Sequence, residues 1–82
     1  MIFKKVAIIG LGLIGGSFAK AVKHADHRIF ISAFDQPEIL NKALQDKVID
    51  EKLIGVDIAL NSDLIILALP IEQSLKVFKE LA

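Results

Sequence analysis

The chain has 82 residues, room for one hydrophobic core at most, and its ten Lys and Arg balance ten Asp and Glu, so it lacks the electrostatic footprint of a nucleic-acid or anionic-membrane binder. With no Cys, a disulfide framework, thiolate metal sites and thiol catalysis are excluded, and any redox chemistry has to come from a cofactor. An apolar share of 54% is high for so short a chain, which points to part of a larger domain or to a surface covered by partners.

The first element is strand-like, "FKKVAIIG" from Phe3 to Gly10, and it runs straight into "LGLIGGSFAKAV". Two readings of that apolar stretch fail. A secretory signal has Lys4 and Lys5 and the small residues of "SFAKA" in its favour, but Gly10, Gly12, Gly15 and Gly16 would each weaken a helix by about 1 kcal/mol. A membrane span fails on length, because the uncharged run from Val6 to Ala19 falls short of the roughly twenty residues required. What remains is a strand turning into a helix around a ligand.

That helix is predicted from Leu13 to Ala25, with Ile14, Phe18, Ala21, Val22 and Ala25 as its apolar stripe and Ser17, Lys20, Lys23, His24 and His27 as its polar one. A second strand follows at "RIFISAFD", Arg28 to Asp35. A second helix is predicted from Pro37 to Asp46: Pro suits its first turn, Glu38 complements the dipole, and Ile39, Leu40, Ala43 and Leu44 form the apolar side. Asp50, Glu51 and Lys52 read as a solvated turn, and a short edge strand is expected near "GVDIAL". The third strand is "DLIILALP", Asp63 to Pro70. Like the second, it is almost continuously apolar, the pattern of an interior parallel strand. Pro70 then opens a third helix, with Ile71, Leu75, Phe78 and Leu81 at helical spacing.

Gly10-Leu11-Gly12-Leu13-Ile14-Gly15 matches G-x-G-x-x-G at a strand-to-helix junction, and Asp35 stands about twenty positions further on. Alone the glycines are a common turn; the strand before, the helix after and the carboxylate at the end of the next strand supply the context for a dinucleotide. Gly10 permits the tight turn, Gly12 lets backbone approach a pyrophosphate, and Gly15 lets the helix pack closely on the strands. The first helical amides and the positive end of the dipole then face the phosphates. Asp35 is expected to bind the adenosine ribose hydroxyls and to repel a 2′-phosphate, and Gln36 follows it in place of Arg, so NAD is favoured over NADP. Its alternative role is a helix cap before Pro37. The fold class is therefore α/β, a Rossmann-type parallel sheet with flanking helices, of which this chain carries the first half.

The remaining candidates read as structural. His24 lies on the order of 15 Å down the helix from the phosphates, so both histidines are expected on the solvated surface. Asp57 and Asp63 read as loop or strand-boundary carboxylates, Ser17 as an exposed helical hydroxyl near the phosphates, and no metal cluster stands out.

Three segments, "IIGLGLIGGSFAKAVK", "AFDQPEILNKALQDKVIDE" and "SDLIILALPIEQSLKVFKEL", resemble the amino-terminal third of the prephenate and arogenate dehydrogenases of tyrosine biosynthesis. The resemblance implies a nucleotide-binding domain followed by a helical dimerisation domain, a cytoplasmic homodimer, and NAD-dependent oxidative decarboxylation of prephenate to 4-hydroxyphenylpyruvate. It assigns Gly10, Gly12, Leu13, Ile14 and Gly15 to the phosphate loop, Asp35 to the ribose, and Leu69 and Pro70 to the border of the cofactor. The family's catalytic His and its substrate-binding Arg and Ser are expected beyond residue 82, so no catalytic residue is assigned here. Another oxidoreductase of this fold, such as a β-hydroxyacid dehydrogenase, and a non-catalytic NAD-sensing module are the alternatives. One departure is Lys47, where the family often carries a helix-ending Gly; a left-handed Lys costs about 1 kcal/mol. Residues 1–82 are expected to form part of a nucleotide-binding domain, and alone to aggregate, swap or be only partly stable.

Overall fold

The computed structural model describes residues 3–69 and 71–81. Four alternations of strand and helix build it: β1 (Lys5–Ile9), α1 (Leu13–Ala25), β2 (Phe30–Phe34), α2 (Pro37–Gln45), β3 (Glu51–Lys52), a 3-10 helix (Val56–Asn61), β4 (Leu64–Leu67) and α3 (Ile71–Leu81). The four strands form one parallel sheet in the order β3-β2-β1-β4, with Ile9 opposite both Phe34 and Leu67. This is the Rossmann-like arrangement expected from the sequence.

Side chains of successive strand residues point to opposite faces, so β1 feeds two cores. Val6 and Ile8 pack with Ile31, Ala33 and the buried faces of α1 and α2, whereas Ala7 and Ile9 pack with Leu53 and Ala59 under the 3-10 helix and α3. Crossovers from β1 to β2 to β3 travel along one face, and the return to β4 uses the other. The direction of winding therefore reverses between β1 and β4, and a crevice opens at their carboxyl ends.

Several expectations are corrected. The edge strand lies at Glu51–Lys52, paired with Ser32 and Ala33, in place of the solvated turn, and "GVDIAL" forms the 3-10 helix. β2 is an interior strand, but β4 borders the described sheet and its residues are only half-buried, since one of its sides has no neighbour. In α1 the buried face is Gly15, Ala19 and Val22, with Phe18 partly buried, and Ile14 is 79% exposed. The close approach of Gly15 to the strands sets that phase. In α2, Leu40 and Ala43 are buried while Ile39 is exposed, and in α3 Val77 faces the core while Leu75 and Phe78 face outward.

Lys47 has φ 59°, the left-handed conformation that a helix-ending Gly would adopt at this position without strain. It closes α2 in a Schellman turn, with the Lys47 amide donating to the Leu44 carbonyl at 3.1 Å and the Val48 amide to the Ala43 carbonyl at 2.9 Å. No described helix is long and apolar enough to cross a membrane.

Candidate nucleotide site

The end of β1 turns sharply because Gly10 adopts φ +98°, and a Cβ there would stand 2.6 Å from the Ala68 carbonyl oxygen. A Cβ on Gly15 would collide with the carbonyl oxygen of Gly10 and come within 3.2 Å of the Ala68 side chain. Two glycines thus let the start of α1 sit directly on the turn and against the segment after β4. Gly12 differs: a Cβ on it would meet nothing within 4 Å, so its small size is unexplained by packing. Open space beside a backbone that could have carried a side chain suits a group that arrives from outside.

Gly12 is also the amino cap of α1, with no side-chain capping bond, and the first helical bond runs from the Gly16 amide to the Gly12 carbonyl at 2.8 Å. The amides of Leu13, Ile14 and Gly15 therefore lie in the first turn with no preceding carbonyl to receive them. Together with the helix dipole they make an anion cradle that needs no Lys or Arg. No acidic residue stands in that turn to oppose an anion. Leu13, 89% exposed, and Ile14 flank a cavity of about 550 Å³ whose other wall is Ile66, Leu67, Ala68 and Leu69. It occupies the crevice between β1 and β4.

Asp35 follows β2 and is half-buried. Its Oδ2 accepts the Leu11 amide at 2.6 Å and its Oδ1 accepts the Gln36 amide at 2.7 Å. Gln36, not Asp35, is the amino cap of α2, and no side chain makes a capping bond there, so the capping role is corrected. The carboxylate instead faces the glycine turn. A second cavity, about 640 Å³, opens beside it between Gln36 and Pro37 on one side and Leu69, Gln73 and Val77 on the other. Leu69 borders both cavities, and its carbonyl accepts the Ser74 hydroxyl at 3.0 Å. Pro70 lies outside the described residues.

Ser17 and His24 are exposed on α1 and His27 in the turn after it, as anticipated; Ser17 lines a separate groove between α1 and α2 with Lys20 and Lys42. Two residues that matter to the site escaped the sequence reading. Ala68 forms the floor against which both Gly10 and Gly15 are pressed, and Ser74 tethers the turn after β4; a small residue and a hydroxyl carry no periodic signal. Among the described residues no cluster of His, Asp or Glu assembles that could hold a metal ion.

The family model described as "NADP oxidoreductase coenzyme F420-dependent" matches residues 5–82. A prephenate dehydrogenase from Lactococcus lactis is 43% identical over 96% of the chain, which corresponds to 22% of that protein. The structure of an A. aeolicus prephenate dehydrogenase in complex with hydroxyphenyl propionate and NAD+ superposes with a TM-score of 0.88 over 99% of the chain and 29% of its own, at 28% identity. A Synechocystis arogenate dehydrogenase superposes with a TM-score of 0.83 at 26% identity, over 94% of the chain and 27% of its own. The chain thus spans less than a third of the length of the proteins it matches.

Proposed function

Because the chain belongs to the family described as "NADP oxidoreductase coenzyme F420-dependent", we propose that it is the amino-terminal NAD-binding segment of a dehydrogenase that oxidatively decarboxylates prephenate to 4-hydroxyphenylpyruvate. The observation that carries the reading is the uncapped cradle at Gly12, open where a Cβ would find nothing, facing a carboxylate at the end of β2. Similarity to prephenate dehydrogenases over nearly the whole chain supports the choice of reaction.

In this reading the amides of Leu13, Ile14 and Gly15 donate to the pyrophosphate, and Gly10 and Gly12 keep side chains out of its path. Asp35 accepts the ribose hydroxyls, and its negative charge disfavours a 2′-phosphate, which selects NAD although the family description names NADP. Leu69 and Pro70 border the cofactor, and the cavity between Asp35 and α3 takes the adenosine end. Bound NAD supplies the hydride acceptor. The chain's part in the reaction is to hold that acceptor; no acid–base residue is assigned to it. Prephenate is the small-molecule partner, the full enzyme is a cytoplasmic homodimer, and neither nucleic acid nor membrane takes part.

The deciding experiment measures NADH formation by the full-length protein with prephenate, arogenate and short hydroxyacids. Turnover of prephenate is expected. Turnover of short hydroxyacids alone would move the protein to another dehydrogenase class, and NAD binding without turnover of any of them would make it a sensor.

A further inference from the structure

Asp35 is placed to do more than touch a ribose. The backbone ladder between β1 and β2 ends with the Gly10 amide donating to the Phe34 carbonyl at 2.8 Å. The next amide along the turn, that of Leu11, has no further carbonyl to reach, and it is the Asp35 side chain that receives it, at 2.6 Å. Leu11 is 8% exposed, so an amide left without an acceptor there would carry a desolvation cost. Gly10, at φ +98°, is the freest joint in the turn, and the Leu11 amide bond is what fixes the peptide beyond it.

We propose that Asp35 is a positioning residue for the phosphate cradle: its carboxylate sets the backbone of the Gly10–Gly12 turn, so that ribose recognition and pyrophosphate binding are coupled through one side chain. A carboxylate offers about four lone-pair positions. The Leu11 and Gln36 amides use two, which leaves two for hydroxyl groups. The same bond turns the Leu11 amide away from the phosphates and leaves the cradle to Leu13, Ile14 and Gly15.

This inference rests on the nucleotide-binding reading, and a ligand without ribose hydroxyls separates the two. Calorimetry with ADP and with 2′,3′-dideoxy-ADP is run on the wild-type protein and on Asp35→Ala. A residue that only binds hydroxyls makes no difference to the dideoxy ligand; a positioning residue does. Asp35→Ala is expected to weaken dideoxy-ADP about tenfold and ADP by more, a non-additive pattern of shared contacts. Equal affinity of wild type and Asp35→Ala for dideoxy-ADP overturns the positioning role and leaves the ribose role intact. Equal affinity of the wild type for ADP and dideoxy-ADP overturns the ribose role and with it the coupling, while the positioning role is still read from the variant.

Amide exchange of the ligand-free protein decides the matter without any nucleotide, even if the wild type binds neither ligand and the functional reading falls. Asp35→Ala is expected to accelerate Leu11 exchange at least about tenfold while the Ile8 amide, inside the sheet, is unchanged. Unchanged Leu11 exchange overturns the proposal. Should Ala loosen Ile8 as well, Asp35→Val, a strand-favouring residue that offers no acceptor, takes its place with the same two readouts.

Discussion

The amide of Lys5 donates to Oδ2 of Asp63 at 2.9 Å while the amide of Asp63 donates to the Lys5 carbonyl at 2.9 Å, so each residue is donor and acceptor to the other. The Lys4 amide joins on the same carboxylate oxygen. The start of β1 is thereby clamped to the start of β4, the opposite end of the sheet from the nucleotide crevice.

These amides, that of Lys5 first, hold the Asp63 carboxyl below its ordinary value of 3.8. The folded state therefore favours the carboxylate, and the stabilisation is present above the unfolded value and lost as pH falls through the lower, folded one. Asp63→Asn is expected to be less stable than wild type at neutral pH, with the gap closing below pH about 3.8. Urea midpoints measured from neutrality to acid check it. A gap independent of pH would mean that the charge is irrelevant to the clamp. Asp26, held at about 2 by Arg28, titrates in the same region, so only the difference between the two proteins isolates Asp63.

Gly12 and Gly15 are expected to fail in opposite ways. Gly15→Ala forces a Cβ into the Gly10 backbone and should cost about 2 kcal/mol or more, lowering the urea midpoint before any ligand is considered. Gly12→Ala meets open space at φ −65°, so its stability should stay within about 0.5 kcal/mol of wild type. Its NAD affinity should nevertheless drop at least about tenfold, because the new methyl stands beside the cradle. A Gly12→Ala protein that binds NAD normally removes the pyrophosphate from this turn.

The glycine turn, the three long strands and the bounds of α1 were legible because each depends on local chemistry: backbone freedom, apolar runs and a turn into an amphipathic segment. The phase of the helices was not. Ile14 continues the apolar spacing of α1 but is left outside, since Gly15 must face the strands. Leu75 and Phe78 follow helical spacing as well, yet α3 packs through Val77. Periodicity identifies an apolar stripe and cannot say which of two adjacent stripes a neighbour covers. β3 was missed because a two-residue strand made of Glu51 and Lys52 has no apolar pattern at all. The candidate site follows the same rule: spacing singles out Asp35, whereas its bond to the Leu11 amide depends on two chain segments meeting.

Lys23 illustrates the same limit and gives a third test. On the helical wheel it belongs to a solvated stripe, but its side chain is only 19% exposed and pairs with Asp50. Its Nζ also donates to the Ile29 carbonyl at 2.7 Å, and Asp50 accepts the Ile31 amide at 2.8 Å. One lysine thus ties the end of α1 to the entry of β2 and to the segment before β3. Lys23→Ala is expected to cost about 1–2 kcal/mol, more than a surface lysine would. Asp50→Ala should cost a similar amount, and the double variant less than the sum by about 0.5–1 kcal/mol. Strict additivity of chemical denaturation energies would show that the pair does not act as a unit.

Lys47 offers a change in the other direction. Its φ of 59° is forced by the Schellman closure of α2, which brings Val48 back against the core formed by Leu40 and Ala43. Every side chain with a Cβ is strained there, and Lys47 is exposed, so its own contacts offset little of that strain. Glycine removes the clash but also makes the unfolded chain more flexible, and the two effects oppose each other. The left-handed penalty is the larger, so Lys47→Gly should stabilise by about 0.5–1 kcal/mol. Lys47→Ala keeps the Cβ and should leave stability nearly unchanged, which separates the backbone effect from loss of the ammonium group. Thermal melts of the three proteins decide it: if Ala and Gly shift the midpoint equally, the charge and not the backbone was responsible.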